Sequence, residues 1–292
     1  MTISPAYRRV CALLAALALI GTGTALAQTS APVSSSSAPP QHADTPSTDD
    51  DDSALRPLEP DFTLVNLPTT LPLPTHKSNF HLTHRFNGNL RAGTFGDNAS
   101  SLFGLDEGAT IGFEYRYAIA RHIEAAAYRT NFNRTIQLSG KYDAFHQTSS
   151  KPVGVSAVVS VEGVNNFRAQ YAPALGVSVS RTIGGFVALY AVPVWVHNSA
   201  ASTGITRDTG FVGLGGRLRV RPTVYVSAEV SPRLAGYVIG DPEYGFALEK
   251  RVGGHTFGLT FTNTPATTFA QLARGGFPVS LYLGFNLSRK FF

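Results

Sequence analysis

Cysteine is almost absent from this sequence. The only one, Cys11, lies at the start of an apolar run near the N-terminus, within residues that we expect to be cleaved off. The chain that remains after residue 27 can form neither a disulfide framework nor a reactive thiol, even in an oxidising compartment.

Long hydrophobic runs are missing as well. After residue 27 the longest apolar stretch is 186–196, which is interrupted by Pro193 and is shorter than the roughly 18 residues that a membrane helix needs. Mean hydropathy is only +0.02, and charged residues make up 15% of the chain. Since only helices and closed barrels satisfy all backbone groups in lipid, insertion into a membrane would require a β-barrel.

Catalytic motifs are also lacking. The sequence contains no G-x-S-x-G elbow, no H-E-x-x-H zinc motif and no G-x-x-x-x-G-K-[ST] phosphate loop. His81 and His84 are three apart, so on a strand they point to opposite faces and cannot share a metal ion. His255 with a nearby hydroxyl is the one candidate for a hydrolase at the lipid-facing rim. We therefore expect a protein that is not an enzyme and that uses no metal and no cofactor.

The first 27 residues have the features of a cleaved secretory signal. Arg8 and Arg9 precede the apolar run 10–20, and the small-residue sequence 25–27 ends at a cleavage site before Gln28. The apolar run is too short for a spanning helix. Export makes nucleic acid an unsuitable partner.

Residues 28–75 are predicted to be a disordered, acidic and proline-rich periplasmic linker. Residues 28–60 carry a net charge of −5, including the acidic run 49–52, and such a composition does not offset the entropy of ordering. The run lacks the ligand pattern of a calcium loop. Residues 62–74 are apolar but broken by three prolines, and they could lie in the periplasm or enter the barrel as a plug.

From residue 76 to 292 the chain alternates strands with turn signals, without a sustained helical period. This predicts an all-β fold, an antiparallel up-and-down transmembrane barrel of about 12 strands. The predicted strands are 78–87, 109–118, 122–130, 135–146, 152–162, 167–181, 185–197, 209–221, 224–233, 244–252, 255–264 and 278–291. Tight connections follow the second, sixth, eighth and tenth strands and long ones follow the first, seventh, ninth and eleventh, which is typical of bacterial outer-membrane barrels.

Alternation assigns one face of each strand to lipid and the other to the lumen. Tyr115, Tyr117, Tyr142 and Tyr190 are assigned to an interfacial girdle. Charged side chains on the inward face must be paired or wetted. The candidates that line the lumen are Glu114, Arg116, Glu124, Lys141, Asp143, Arg217, Arg219, Arg221, Glu229 and Arg233. Because Arg217, Arg219 and Arg221 share one face of one strand, they are the candidates for an anion-favouring stripe.

The last strand resembles the signal that barrel-assembly machinery recognises in bacterial outer-membrane proteins. It is amphipathic and ends on aromatic residues; the residues that would carry the signal are Phe285, Leu287, Phe291 and Phe292, with Phe291 in register and Phe292 one residue beyond. We therefore expect three partners: the barrel-assembly machinery, outer-membrane lipid and lipopolysaccharide. Lipopolysaccharide is expected because residues 61–292 carry a net charge of +8, which attracts its phosphate groups.

A series of short motifs resembles a family of bacterial envelope β-barrels catalogued as a domain of unknown function. The resemblance covers about residues 76–292 and implies an outer-membrane barrel without supplying an activity. The motifs are Ser78-Asn79-Phe80, Leu82-Thr83-His84-Arg85-Phe86, Leu102-Phe103-Gly104-Leu105-Asp106, Gly112-Phe113-Glu114-Tyr115, Lys141-Tyr142, Gly253-Gly254-His255-Thr256-Phe257, Phe261-Thr262-Asn263 and Gly284-Phe285-Asn286-Leu287-Ser288-Arg289.

Two functions of different classes follow from this pattern, besides the rim hydrolase. The first is a passive, porin-like channel for small solutes, with anions as one candidate class. The second is a non-conducting structural barrel whose lumen is closed by charge pairs and by residues 62–74. The sequence leaves the oligomeric state open.

Overall fold

The structure is a computed structural model that describes residues 58–200, 207–236 and 241–292. The predicted signal and residues 28–57 of the predicted linker lie outside these residues. The fold below belongs to the compact unit Asp51–Phe292.

Thirteen strands form one antiparallel sheet that closes on itself. β1 pairs with β2 on one side and with β13 on the other, and β8 pairs with β9, so the sheet has no free edge along its main ring. The strands are β1 Ser78–Asn89, β2 Ala109–Ala120, β3 Ile123–Thr130, β4 Ile136–Phe145, β5 Gly154–Gly163, β6 Ala169–Ile183, β7 Val187–Val196, β8 Thr209–Arg221, β9 Val224–Ser231, β10 Arg233–Gly236, β11 Glu243–Val252, β12 His255–Thr262 and β13 Tyr282–Phe291. The short β10 continues β9 after Pro232, so the closed barrel has the twelve strands that the sequence predicted.

The period-two pattern sets the two faces of the wall. Phe113, Tyr115 and Tyr117 alternate along β2 as exposed side chains, while Arg116 between them is buried inside the barrel. Leu138, Val159, Leu218, Phe257 and Leu259 repeat the exposed pattern around the ring. The lipid-facing assignment made from alternation is confirmed at these positions.

The two ends of the barrel differ in the length of their connections. Ser78 of β1 pairs with Phe291 of β13, so the start of the first strand and the end of the last lie together at what we call the terminal end. At this end β2, β6, β8 and β11 turn directly into the next strand. The opposite, long-loop end carries the connections after β1, β7 and β12, which confirms the predicted parity.

Helices are short and lie in the connections. They are α1 Phe95–Ser100, α2 Val164–Phe167 and α3 Phe269–Ala273, with 3₁₀ segments Leu102–Glu107 and Phe132–Arg134. Thr94 and Asp97 form a capping box at α1, and the hydrogen bonds from the Thr94 backbone and hydroxyl lower the pKa of Asp97. No helix in the described part of the chain is long and apolar enough to cross a membrane.

The segment before β1 departs from the prediction. Residues 58–74, which we call the plug, run inside the barrel, and most of their side chains are buried. The plug folds back on itself, because the Leu64 N–H donates to the Leu67 carbonyl at 2.8 Å and the Thr69 N–H donates to the Phe62 carbonyl at 2.9 Å. The predicted linker 28–75 therefore does not extend over residues 58–74, which are mostly buried inside the barrel; residues 62–74 of this segment were the ones predicted to enter the barrel as a plug. The apolar side chains between the prolines explain this, since the lumen removes them from water.

Candidate functional site

The tip of the plug is bound by one glutamate of the wall. Glu229 on β9 accepts hydrogen bonds from the backbone N–H groups of Val65, Asn66 and Leu67 at 3.0, 2.8 and 3.1 Å. Consecutive N–H groups that converge on one carboxylate form an anion-binding concavity, here occupied by a side chain of the same molecule. Each bond is charge-assisted and is therefore stronger than a neutral one.

The Asn66 side chain joins the tip to two further strands on the same side of the wall, β11 and β1. Its amide nitrogen donates to Glu243 at 3.2 Å, and its oxygen accepts from Arg85 at 3.2 Å. Arg85 is fully buried and also donates to the Asn286 side-chain oxygen at 2.8 Å, while the Asn286 amide donates to the Val65 carbonyl at 2.8 Å. The tip is thus held from β1, β9, β11 and β13.

Arg217, the innermost residue of the predicted anion-favouring stripe, is occupied by internal partners. Its guanidinium donates to both Glu249 oxygens at 2.9 and 3.2 Å and to the Thr63 carbonyl of the plug at 2.8 Å. Arg219 is half-buried and Arg221 is exposed, further toward the terminal end. The three arginines share a face, yet Arg217 anchors the plug.

A chain of ion pairs lines the wall from β2 to β4. Arg116 lies 2.9 Å from Glu114 and 3.2 Å from Glu124, and Lys141 lies 3.2 Å from Glu124 and 3.3 Å from Asp143. This chain also holds the plug, because Lys141 donates to the Leu71 carbonyl and Glu124 accepts from the Leu73 N–H at 2.6 Å. The predicted pairing of inward charges is confirmed for these five residues.

Phe62 of the plug lies among cations near the terminal end. Arg116, Lys141 and Lys290 lie 5.5, 5.9 and 6.0 Å from its ring centroid, within the range of cation–π attraction. Phe62 also belongs to an apolar cluster with Leu71, Leu73 and Ala118, against which Phe292 packs. The C-terminal residue of the barrel therefore contacts the plug.

The plug enters past Tyr190 and Thr256. The Tyr190 hydroxyl donates to Glu59 at 2.9 Å, and the Thr256 hydroxyl donates to the Pro60 carbonyl at 3.0 Å. The assignment of Tyr190 to an interfacial girdle is wrong, because Trp195 and Pro193 set the outward parity of β7 and place Tyr190 in the lumen. Tyr115, Tyr117 and Tyr142 are exposed as predicted.

Glycines on β8 leave room for the plug's leucines. A Cβ atom on Gly213 would lie 2.5 Å from the Leu67 Cδ2 atom, and a Cβ on Gly215 would overlap the Leu64 side chain. The stretch 213–216 is part of strand β8. Its glycines match the bulk of the plug.

A second closure comes from the long-loop end. The connection between β12 and β13 folds inward, and α3 is buried along its whole length. The Ala270 N–H donates to Glu162 at 3.4 Å, and the Gln271 amide donates to Thr135 at 3.3 Å. Phe269 and Leu272 join the buried apolar cluster that contains Leu64 and Leu67 of the plug.

The predicted lumen residues divide into two groups. Glu114, Arg116, Glu124, Lys141, Asp143, Arg217 and Glu229 lie around the plug, as the contacts above show. Arg219 and Arg221 lie toward the terminal mouth, and Arg233 lies at the long-loop end, where it donates to the Arg274 carbonyl. Whether any of these residues lines a conducting path stays a prediction.

Sequence reasoning missed several lumen residues that carry contacts. Glu243 and Glu249 on β11, Lys290 on β13 and Arg85 on β1 are all buried on the inward face. Each of them lies an even number of residues from a small or polar residue of the same strand, namely Gly245, Asn286 or Thr83. This period-two spacing is enough to place all four side chains on the inward face. Asn66 was not recognisable, since its role depends on the fold of the plug.

The rim hydrolase finds no support in the surroundings of His255. Its two ring nitrogens lie 3.0 and 3.3 Å from the Arg289 guanidinium, and its ring stacks on Phe257. A guanidinium is not a nucleophile, so these contacts do not form a Ser–His pair. His81 is buried in the lumen and His84 stacks outside on Phe285, as their spacing predicted. Among the residues with described positions, no group of side chains could hold a metal ion.

The predicted assembly signal lies on the expected faces. Phe285, Leu287 and Phe291 share the outward face of β13, and Phe292 turns back to the plug. Recognition by assembly machinery stays a prediction.

The chain belongs to the family described as membrane bound beta barrel domain (DUF5777), whose model matches residues 61–291. The match begins within the plug, so the family includes this segment along with the barrel. Among the curated proteins compared, none matches.

The chain is also similar to several solved structures, with TM-scores below 0.5. An outer membrane channel from Pseudomonas putida F1 is 10% identical with a TM-score of 0.45, and the alignment covers 75% of this chain and 97% of that one. The outer membrane protein Omp33 of Acinetobacter baumannii is 11% identical with a TM-score of 0.39, covering 74% and 98%. The NanC porin is 6% identical with a TM-score of 0.45, covering 74% and 99%.

Proposed function

We propose that this member of the membrane-bound β-barrel family is an outer-membrane channel that its own N-terminal plug holds closed. The observation that carries the proposal is the position of residues 58–74 inside the barrel, bound to the wall through Glu229, Arg217 and Lys141. The sequence predicted a passive channel. The present proposal differs from it in that the channel conducts only after the plug has moved out of the lumen.

The chemistry of the wall supports a channel over a permanently filled core. Buried ion pairs add little stability over apolar residues of the same volume, so a purely structural filling does not require them. A wall that carries Arg85, Arg217, Glu229 and Glu249 would hold water readily once the plug had left. The structural barrel remains the competing function, since it shares the closed state.

Planar bilayer conductance separates the two functions. The full chain, a variant lacking residues 58–74, and a variant lacking both 58–74 and the inward loop 265–276 would be refolded and compared. We expect no conductance from the full chain and measurable conductance from the double deletion. The variant lacking only residues 58–74 should conduct no more than the double deletion does, because α3 still covers the long-loop end.

The control is a variant lacking the loop 265–276 alone, which should remain silent because the plug is in place. Heat-modifiable migration would show that each variant forms a barrel. A folded double deletion without conductance would contradict the channel and leave the structural barrel.

Selectivity for anions would depend on Arg219 and Arg221, because Arg217 is neutralised by Glu249. In the conducting variant, replacing both arginines by Glu should move the reversal potential toward cation preference. An unchanged reversal potential would contradict the proposal that these arginines favour anions.

The proposed location is the bacterial outer membrane, reached through cleavage of residues 1–27, with the terminal end facing the periplasm. The proposed partners remain outer-membrane lipid, lipopolysaccharide and the barrel-assembly machinery. We propose no enzymatic activity, and an unchanged lipid composition in cells that carry His255→Ala would agree with that.

A further inference from the structure

The exposed charges of the barrel differ between its two ends. Among the described residues, all five exposed carboxylate side chains lie at the long-loop end, together with four exposed arginines, so the exposed charges there nearly cancel. The carboxylates are those of Asp97, Asp106, Glu107, Asp208 and Asp241. The stretches 201–206 and 237–240 contain no charged residues and do not alter this balance.

The terminal end carries positive charge without exposed acids. Six Lys and Arg side chains that are exposed or half-buried there, which we call the basic rim, are spread around the whole ring. They are Arg121 in the turn between β2 and β3, Lys151 between β4 and β5, Arg181 on β6, Arg221 on β8, Lys250 on β11 and Arg289 on β13. In the described part of the chain, no exposed or half-buried Asp or Glu side chain lies at this end. The excess positive charge from which lipopolysaccharide was predicted as a partner is thus concentrated at the terminal end.

The side-chain contacts of the basic rim do not supply a counter-charge at two of its positions. The Lys250 Nζ atom donates to the Thr223 hydroxyl at 2.8 Å. The Arg289 guanidinium lies 3.0 Å from the His255 Nδ1 atom. Neither a hydroxyl nor an imidazole is an anion, so an external anion could approach these cations without breaking an ion pair.

Exposed aromatic rings lie directly beside two cations of the rim. The Lys151 Nζ atom lies 5.2 Å from the centroid of the Phe145 ring, and the Arg289 guanidinium lies 5.7 Å from that of Phe291. Both rings are exposed. Aromatic rings with neighbouring cations are typical of the boundary between hydrocarbon and headgroups. This arrangement suits an amphiphile whose anionic group lies directly above its hydrocarbon chains.

We propose that the basic rim binds the phosphate groups of anionic phospholipids in the leaflet that the terminal end faces. The proposal rests on the proposed outer-membrane location, in which this leaflet is the periplasmic one. Basic residues close to an anionic lipid surface are attracted to it, and salt screens the attraction. An acidic protein would also match the charge, but the exposed rings beside the cations favour lipid.

Lipid preference is measured with the full chain in vesicles of phosphatidylethanolamine and phosphatidylglycerol, by electron spin resonance of spin-labelled lipids. At low salt we expect spin-labelled phosphatidylglycerol to associate with the barrel at least roughly threefold more strongly than spin-labelled phosphatidylcholine. The difference should disappear in about 1 M NaCl.

Replacing the four exposed cations of the rim by Gln should abolish most of this preference. They are Arg121, Lys151, Arg221 and Lys250. The matched control replaces the four exposed arginines of the long-loop end by Gln and should keep the preference, although it loses the same charge. These are Arg91, Arg134, Arg168 and Arg207.

Heat-modifiable migration would show that both variants fold, and Lys151→Gln/Lys250→Gln replaces the fourfold variant if that one forms no barrel. The double variant should lose part of the preference. The proposal is overturned if the terminal-end variant keeps the preference or if the control loses it equally. No preference for phosphatidylglycerol in the parent would also overturn it and would leave an acidic protein as the partner of the rim.

The vesicles carry phosphatidylglycerol in both leaflets, so this result depends neither on which way the barrel inserts nor on whether it conducts. The leaflet is tested separately in cells. In a Cys11→Ser chain, Arg121→Cys should react with a maleimide on a large polyethylene glycol only after the outer membrane is permeabilised, whereas Arg134→Cys should react in intact cells. Reaction of Arg121→Cys in intact cells would overturn the periplasmic leaflet and the proposed orientation, while the measured lipid preference would stand.

Discussion

Glu229 is the residue on which the tip of the plug depends most, since it accepts hydrogen bonds from three consecutive backbone N–H groups. Glu229→Gln keeps the shape of the side chain but removes the charge that strengthens these bonds. Bonds to a charged group contribute about 1.5–3 kcal/mol, so a loss of about 2 kcal/mol should raise the population with a displaced tip roughly 30-fold. The rate at which a water-soluble maleimide labels Leu64→Cys measures that population.

The matched control is Glu162→Gln, which changes another buried glutamate that bonds to α3 and not to the plug. Labelling at Leu64→Cys should stay near the parent rate in this control. Equal labelling rates in the Glu229→Gln variant and its parent would show that Glu229 does not hold the tip.

We expect substitution of Arg217 to lower the stability of the barrel, because its side chain is bonded to Glu249 and to the plug and is not free to attract ions. Arg217→Glu would place two carboxylates together in a buried site, and breaking a buried pair costs about 3–5 kcal/mol. We expect the barrel to lose its heat-resistant migration at a lower temperature, with partial recovery in Arg217→Glu/Glu249→Arg. Arg221→Glu, at an exposed position of the same strand, should leave that temperature unchanged; an equal loss there would contradict a specific role for Arg217.

For single residues, the sequence predicts which face of a strand a side chain lies on better than it predicts which residue that side chain contacts. Alternation placed Glu124, Lys141 and Asp143 inside together, because neighbouring strands fix their register. It did not connect Glu229 with Val65, Asn66 and Leu67, since those residues are more than 160 positions away and meet only after the plug has folded. Contacts to backbone N–H groups leave no mark in the sequence.

Among the elements, the first long connection is fixed to the barrel by two glycines. A Cβ on Gly104 would lie 2.6 Å from the Gly88 Cα atom, and Gly104 has a φ of +87° that side chains rarely adopt. Gly104→Ala should therefore release the connection and speed chymotrypsin cleavage at the exposed Phe103, with little effect on barrel stability. Gly96→Ala is the control, because the nearest atom to its Cβ would be 3.7 Å away; similar cleavage in both variants would contradict this packing.

Strands were predictable as elements, whereas the plug was not. The observed strand limits lie close to those predicted, apart from β13, which begins at Tyr282. The segment 62–74 has three prolines and no helical or strand periodicity. Its sequence is therefore equally compatible with an extended segment in the periplasm and with a plug inside the barrel. The leucines Leu64 and Leu67 could be matched to Gly213 and Gly215 only once both were placed in space.

In the part of the chain that the structure describes, the molecule is a membrane barrel that contains the plug and α3, and its stability should reflect the closed ring of strand pairs. We expect the detergent-extracted protein to migrate differently in boiled and unboiled samples on the same gel. A variant lacking residues 58–74 should keep this shift but lose it at a lower temperature, because the wall no longer has its internal partners. A fully soluble protein without any shift would contradict the membrane barrel.

The measurement that tests the central claim most directly is a disulfide between the plug and the wall in intact outer membranes. The Leu67 Cγ atom lies 3.1 Å from the position of a Cβ on Gly213, so the two Cβ atoms are close enough for a disulfide. Leu67→Cys/Gly213→Cys would be made in a Cys11→Ser chain. Leu67→Cys/Ala127→Cys would be the control, because Ala127 faces lipid on the outside of the barrel.

Mild oxidation should cross-link the first pair and not the second. The closed loop would make the boiled, unreduced chain run faster on a gel, and a reductant would reverse the change. Efficient cross-linking between residues 67 and 213 would place the plug in the lumen of the native protein. No cross-link in a folded barrel, or equal cross-linking in the control, would contradict the internal plug and the gated channel with it.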